Sequence, residues 1–284
     1  MVNNWALWCS FYIPIHLIQE REIESMPMKL SFVIFFLIPL VAWSFDPYED
    51  TQENLAPQTE LNRSVPESKS RLGNGTWVFA FELMNADGTS TILAQSNRST
   101  LVKPASTMKL FTSWFAHKQG FRDSTYLSKM LKESVNEMAD STLRLMGGPK
   151  ALRAFYAGVG LDLNATNFIQ VDGSGLSYDN KTNCDSQISL LKLIFADAEF
   201  ETFKDFLAQP GEEGTLRERL LDVQGRLFAK TGTLKRTASL SGFVETKAGT
   251  VVFCILTDYL PAPSRSYRPR IDAMVLKNIE SLDL

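Results

Sequence analysis

Histidine is almost missing from this 284-residue chain, which has two, His16 and His117. Cysteine is nearly as scarce: Cys9, Cys184 and Cys254 are the three, and their spacing matches neither a zinc site nor a disulfide framework. Zinc enzymes draw on His and Cys ligands, and a Ser-His-Asp hydrolase needs a placed imidazole. With His16 expected to be lost in processing, both classes are argued against. A cluster of basic residues is also lacking, and the formal net charge is -3, so no nucleic-acid surface is expected. The longest apolar run falls short of the roughly 20 residues that span a membrane. Repeats and low-complexity tracts are absent.

What the chain does have is an ordinary globular composition, 44% hydrophobic and 21% charged. The N-terminus carries Met28-Lys29, an apolar run Leu30–Trp43 and a small-x-small pair at Ala42 and Ser44. This is the pattern of a secretory signal peptide, predicting cleavage after Ser44 and a mature start at Phe45. An uncleaved anchor is the alternative. Residues 1–27 are atypical of such a leader and read as an upstream extension from a start codon placed too early. Residues 45–72 are polar and proline-bearing, a flexible lead-in. The remaining stretch, 73–284, is read as a single domain. Cys184 and Cys254 can pair in an exported protein, but Cys254 lies in an apolar strand pattern, where a buried free thiol fits at least as well.

Strand patterns are predicted at Trp77–Leu83 and Thr91–Ala94, joined by a turn at Asn85–Gly88. Helical patterns then dominate to about Leu221: one after Ser106, then Tyr126–Leu145, Pro149–Gly158, Asp185–Asp197 and Phe203–Leu207. Strand patterns return at Arg226–Ala229, Ala238–Glu245 and Thr250–Thr257, and a helix is expected over Ile271–Ile279. The order predicts an α+β fold. One antiparallel sheet of about five strands is built from both chain ends, with a helical lobe (about 105–222) inserted between them.

Three short motifs carry chemistry. In Pro104-Ala105-Ser106-Thr107-Met108-Lys109, residues i and i+3 share a helix face. A neutral Lys109 can then take the Ser106 hydroxyl proton and make a nucleophile. A free lysine amine has a pKa of roughly 10.4, so burial or a second cation must lower it. Alone, the pattern equally fits a capping serine beside an exposed lysine. Ser134-Val135-Asn136 offers a hydroxyl and an amide for one cleft wall, or an ordinary helix cap. Lys230-Thr231-Gly232-Thr233 sits in a strand-like segment. Gly232 permits close approach of a substrate, the Thr233 N–H with the Ser106 N–H can form an oxyanion hole, and Lys230 with Thr231 can hold a carboxylate. An exposed turn is its bland alternative. His117, on the Ser106 helix, reads as a packing or surface residue.

Taken in order, these motifs resemble the penicillin-binding and serine β-lactamase superfamily. Flanking stretches, including Val171–Ser177, Gly214–Arg217 and Leu240–Val244, resemble the DacB-type class C penicillin-binding proteins. That resemblance implies a serine D-alanyl-D-alanine carboxypeptidase or endopeptidase, periplasmic or secreted, acting on peptidoglycan stem peptides and cross-links and acylated by β-lactams. It implies no cofactor and no metal. Ser106 would be the acyl-ester nucleophile and Lys109 its base. Ser134 would pass a proton to the leaving amine, Asn136 would hold a peptide carbonyl, and Lys230 and Thr231 would bind the terminal carboxylate, Lys230 also keeping Lys109 neutral by repulsion. Asp172–Ser177 reads as scaffold beside the cleft. One departure is large. Only residues 110 to 133, 24 in all, separate Lys109 from Ser134, leaving no room for the domains that typical relatives insert there. A more open cleft that admits cross-linked peptides is expected. A serine β-lactamase, or an inactive wall-binding protein, are the competing readings.

Overall fold

A computed structural model of the chain describes residues 75–283. The expected leader, the upstream extension, the lead-in and Cys9 lie outside the described residues. Among the described residues no helix is long and apolar enough to cross a membrane.

The sheet has five antiparallel strands: β1 (Thr76–Met84), β2 (Ser90–Ser96), β5 (Leu227–Leu234), β6 (Thr237–Thr246) and β7 (Gly249–Asp258), in the order β2-β1-β7-β6-β5. The first and the last strand of the described residues thus lie side by side in one sheet, as the element order implies. The helices α1 (Met108–Lys118), α2 (Ser124–Lys132), α3 (Asn136–Leu145), α4 (Gly148–Gly158), α5 (Cys184–Phe195) and α6 (Phe200–Lys204) fall between β2 and β5. A two-residue ladder, β3 (Phe168–Ile169) with β4 (Lys181–Thr182), interrupts them. The helix α7 (Arg268–Ile279) closes the chain.

Strand side chains alternate between two faces, and each face has its own core. Val78, Ala80, Val252, Cys254 and Leu256 face α1 and α5, against Leu110, Phe111, Trp114 and Ile188. Trp77, Phe81, Val251, Phe253 and Ile255 face α7, against Ile271, Val275 and Ile279. The sheet is therefore covered on both sides, which explains why its central strands read as nearly continuous apolar runs.

Three expectations are corrected. The continuous helix over Tyr126–Leu145 is two helices, α2 and α3, parted by a turn in which Ser134 takes φ 63°. A serine in the left-handed region cannot continue a helix, so the periodicity survived while the backbone broke. The helix placed at Phe203–Leu207 is Phe200–Lys204, and 205–207 form a turn. The β5 strand also runs farther than its apolar part, through Lys230-Thr231-Gly232-Thr233 to Leu234.

Cys184, at the start of α5, and Cys254, in β7, form a disulfide across 70 residues of sequence, with their Cα atoms 5.6 Å apart. It ties the helical layer to the middle of the sheet. Closing a loop of that length should stabilise the domain by about 4 kcal/mol. Reduction should lower the midpoint of urea unfolding accordingly; an unchanged midpoint in reductant would show that the bond does not constrain the unfolded chain.

Candidate active site

Ser106 sits in a 3-10 turn, Ala105–Thr107, that leads directly into α1. Ala105 holds φ 50°, an uncommon conformation for a residue with a Cβ, and one that clusters at functional sites. Several contacts hold it there. The Ser239 hydroxyl of β6 and the Thr107 hydroxyl both donate to the Pro104 carbonyl, at 2.7 and 2.8 Å. Gln187 of α5 donates to the Thr107 hydroxyl at 2.8 Å and accepts from Ser241 of β6 at 2.5 Å. Just upstream, the Lys103 ammonium pairs with the buried Asp258 carboxylate at 3.1 Å. The Ser106 turn is thus fastened to sheet and helix by buried polar groups whose partners are satisfied.

Lys109, one turn on, is fully buried. Its Nζ lies 3.0 Å from the Ser106 Oγ, 2.8 Å from the Asn136 Oδ1 and 2.8 Å from the Ser174 carbonyl oxygen. The last two groups have no proton to give in these contacts and can only accept. A neutral amine has two N–H bonds and one lone pair. With both N–H bonds directed to Asn136 and Ser174, the lone pair is left for the Ser106 hydroxyl. Burial lowers the Lys109 pKa to about 8, against the pull of Asp140, Asp172 and Glu137 in the other direction. At pH 7 about a tenth of a group with that pKa is neutral, compared with fewer than about one in a thousand free lysines.

Lys230 is fully buried too, and its Nζ donates to the Thr231 carbonyl at 3.0 Å. Its pKa is pushed well below the ordinary value, first by burial and then by Lys109. For both amines burial is the leading cause, and repulsion between them adds to it. The β5 strand packs against the nucleophile turn: a Cβ added to Gly232 would come within 2.8 Å of the Pro104 carbonyl and 2.0 Å of the Ser239 hydroxyl. β5 is one of the two edge strands of the sheet. Its outer side pairs with Ala208 at Ala229, through bonds of 3.0 and 3.1 Å in both directions. Backbone groups alternate in direction along a strand, so Thr231 and Thr233 also turn their N–H and C=O outward, beyond the end of that bridge.

Ser134 and Asn136 come from the α2–α3 turn. The positive φ of Ser134 ends α2 and lets Asn136 open α3 with its side chain on Lys109. The Ser134 hydroxyl is half-buried and makes no hydrogen bond among the described residues. His117 lies at the far end of α1, packed among the rings of Trp114, Phe203 and Phe206.

The loop Asp172–Ser177 is part of the site rather than beside it. Asp172 accepts from the N–H groups of Gly175 and Ser177, at 2.6 and 2.7 Å, and from Asn180 at 2.9 Å. Asp140 of α3 accepts from the Ser174 N–H at 2.8 Å, and Thr112 of α1 donates to the Gly173 carbonyl at 2.9 Å. This web aims the Ser174 carbonyl at Lys109. Gly175, at φ 81°, lies so close to the nucleophile turn that an added Cβ would stand 1.9 Å from the Ala105 carbonyl oxygen. Gly175→Ala should displace Ala105 by about an ångström. Labelling of Ser106 by a fluorescent penicillin should then slow at least ~100-fold, with the far-ultraviolet circular dichroism unchanged; wild-type labelling kinetics would contradict the packing described.

Comparison with known proteins places the chain in a family. The family model for D-Ala-D-Ala carboxypeptidase 3 (S13) matches residues 122–277, which include the Ser134 and Lys230 motifs but not Ser106 or Lys109. The carboxypeptidase DacB of Mycolicibacterium smegmatis is 31% identical over 170 residues, covering 52% of this chain and 35% of that protein. The chain spans only 26% to 35% of the length of the curated relatives it matches. Among solved structures, a predatory endopeptidase of Bdellovibrio bacteriovorus, in complex with an immunity protein, aligns at 24% identity with a TM-score of 0.50, over 56% of this chain and 43% of its own. The TLA-1 extended-spectrum β-lactamase aligns at 14% identity with a TM-score of 0.60, over 75% of this chain and 97% of its own, a likeness of fold. On the family match and the fold together, this chain belongs to the D-Ala-D-Ala carboxypeptidase 3 (S13) family.

Proposed function

We propose that the protein is an exported serine DD-peptidase that cleaves D-alanyl peptide bonds of peptidoglycan through an acyl-enzyme on Ser106. The observation that carries this is the Lys109 amine, buried and held 3.0 Å from the Ser106 hydroxyl. Lys109 takes the hydroxyl proton as Ser106 attacks the carbonyl carbon of the scissile bond. The outward Thr233 N–H and the Ser106 N–H, which has no partner in the first turn of its helix, stabilise the resulting oxyanion. The proton passes by way of Ser134 to the leaving D-alanine or amine, and water then releases the acyl group. Thr231 and Thr233 receive the leaving-group carboxylate, with Lys230 behind them. The Asn136 amide, whose oxygen is engaged by Lys109, offers its N–H to a substrate carbonyl. The open edge of β5 lets a peptide lie along it as an added strand.

β-Lactams would acylate the same serine. A β-lactamase must also hydrolyse that ester quickly, which calls for a base placed for water. Among the described residues no carboxylate is hydrogen-bonded to Ser106 or Lys109, and those of Asp140 and Asp172 accept from backbone N–H groups instead. This favours a long-lived penicilloyl adduct. An inactive wall-binding protein is disfavoured by the intact Ser106–Lys109–Asn136 cluster. The disulfide agrees with export to an oxidising compartment.

The short connection between Lys109 and Ser134 supports an open cleft and action on cross-linked strands. Purified cross-linked muropeptides should be cut to monomers and pentapeptide monomers should lose D-alanine, both abolished in Ser106→Ala. Dimers that persist while monomers are trimmed would remove the endopeptidase half. Wild-type enzyme that neither trims nor takes a penicillin label would remove the whole reading.

A further inference from the structure

The turn after β5 is clamped to the segment that precedes α7. Ser264 donates its hydroxyl to the Leu234 carbonyl at 2.6 Å and its N–H to the Lys235 carbonyl at 3.3 Å. Arg236 donates to the Leu260 carbonyl at 2.9 Å. These bonds set the first residue of α7, Arg268, against the end of β5, where its Nη2 donates to the Thr233 hydroxyl at 3.3 Å.

Arg268 lacks a counter-charge. Its nearest acid, Asp272, is taken by Arg219 in a two-point pair at 2.6 and 3.1 Å. Arg268 forms no ion pair among the described residues. Burial and then the charges of Arg219 and Arg265 make its protonated form less favourable, with Asp272 only partly opposing them. Lys235 and Arg236 occupy the adjoining turn. A chain of net charge -3 thus gathers unneutralised cations at the one end of β5 where Thr233 is exposed. Meanwhile Lys230, the cation that the motif supplies, is enclosed and has a depressed pKa. A charged donor outside the strand therefore stands where the enclosed Lys230 is not exposed.

We propose that Arg268 is a specificity residue of the leaving-group subsite: with Thr233 it binds the carboxylate of the departing D-amino acid, or of the departing strand in a cross-link. The inference rests on the peptidase reading and adds the group that makes this site select anionic leaving groups. A guanidinium presents several N–H donors in a planar fork that suits a carboxylate, and only one is engaged by Thr233.

The test compares acylation of Ser106 by benzylpenicillin, whose carboxylate stands where that of the leaving group would, with acylation by its methyl ester. In Arg268→Ala the second-order rate with benzylpenicillin should fall about 10- to 100-fold, the range for a lost hydrogen bond to a charged group, while the ester reacts at nearly the wild-type rate. Arg268→Lys should recover part of the loss. Equal losses with both compounds would assign Arg268 a merely structural role, and no loss with either would remove it from the subsite. In both of those cases labelling of Ser106 persists and the peptidase reading stands. Absence of labelling by either compound in the wild type would remove both.

Discussion

Everything in this site depends on keeping one lysine amine out of water and pointing it at one hydroxyl. An ammonium in an apolar interior is costly unless it is fully paired. The protein offers Lys109 two acceptors and no adjoining carboxylate in contact, which is enough to hold it in place without fixing its proton. Had Asp140 or Asp172 touched the amine directly, a salt bridge would have kept it charged and useless as a base. Instead each of those carboxylates is turned to backbone N–H groups, and its charge raises the Lys109 pKa only from a distance, by less than burial lowers it.

That requirement explains the strained places in the backbone. Ala105 at φ 50° presents Ser106 beside α1, and Ser134 at φ 63° turns Asn136 inward. Gly175 fits where no side chain could stand. Three segments distant in sequence are brought to within hydrogen-bonding reach of one amine, or close to it, and none would hold its conformation alone. The surrounding structure bears the cost: a sheet covered on both faces, a disulfide between α5 and β7, and the buried Gln187 network that ties the sheet to the nucleophile turn.

Much of this was legible from the residues. The motifs named Ser106, Lys109, Asn136 and the β5 strand, and the element order gave the sheet its strands from both ends. What was not legible has physical reasons. Periodicity reports which face of a helix is apolar, and it continues unbroken across Tyr126–Leu145, so the left-handed Ser134 left no mark on it. The role of the Asp172–Ser177 loop is played by a carbonyl, which every residue possesses and no composition reveals. Cys184 and Cys254 sit in apolar surroundings that suit a thiol as well as a disulfide; only the distance between α5 and β7 separates the two. Arg268 lies outside all three motifs, and its contact with the Thr233 hydroxyl is a proximity created by the docking of α7.

Burial and repulsion from a second cation were both expected to keep Lys109 neutral, and burial is the leading cause. The two causes differ in consequence, because enclosure persists when Lys230 is itself uncharged. The pH dependence of the second-order rate at which benzylpenicillin acylates the wild-type enzyme tests this most directly. The rate should rise as Lys109 loses its proton, with a midpoint near 8, and then level off. A midpoint near the roughly 10.4 of a free lysine, or a rate indifferent to pH across that range, would contradict the claim that a buried, neutral Lys109 is the base.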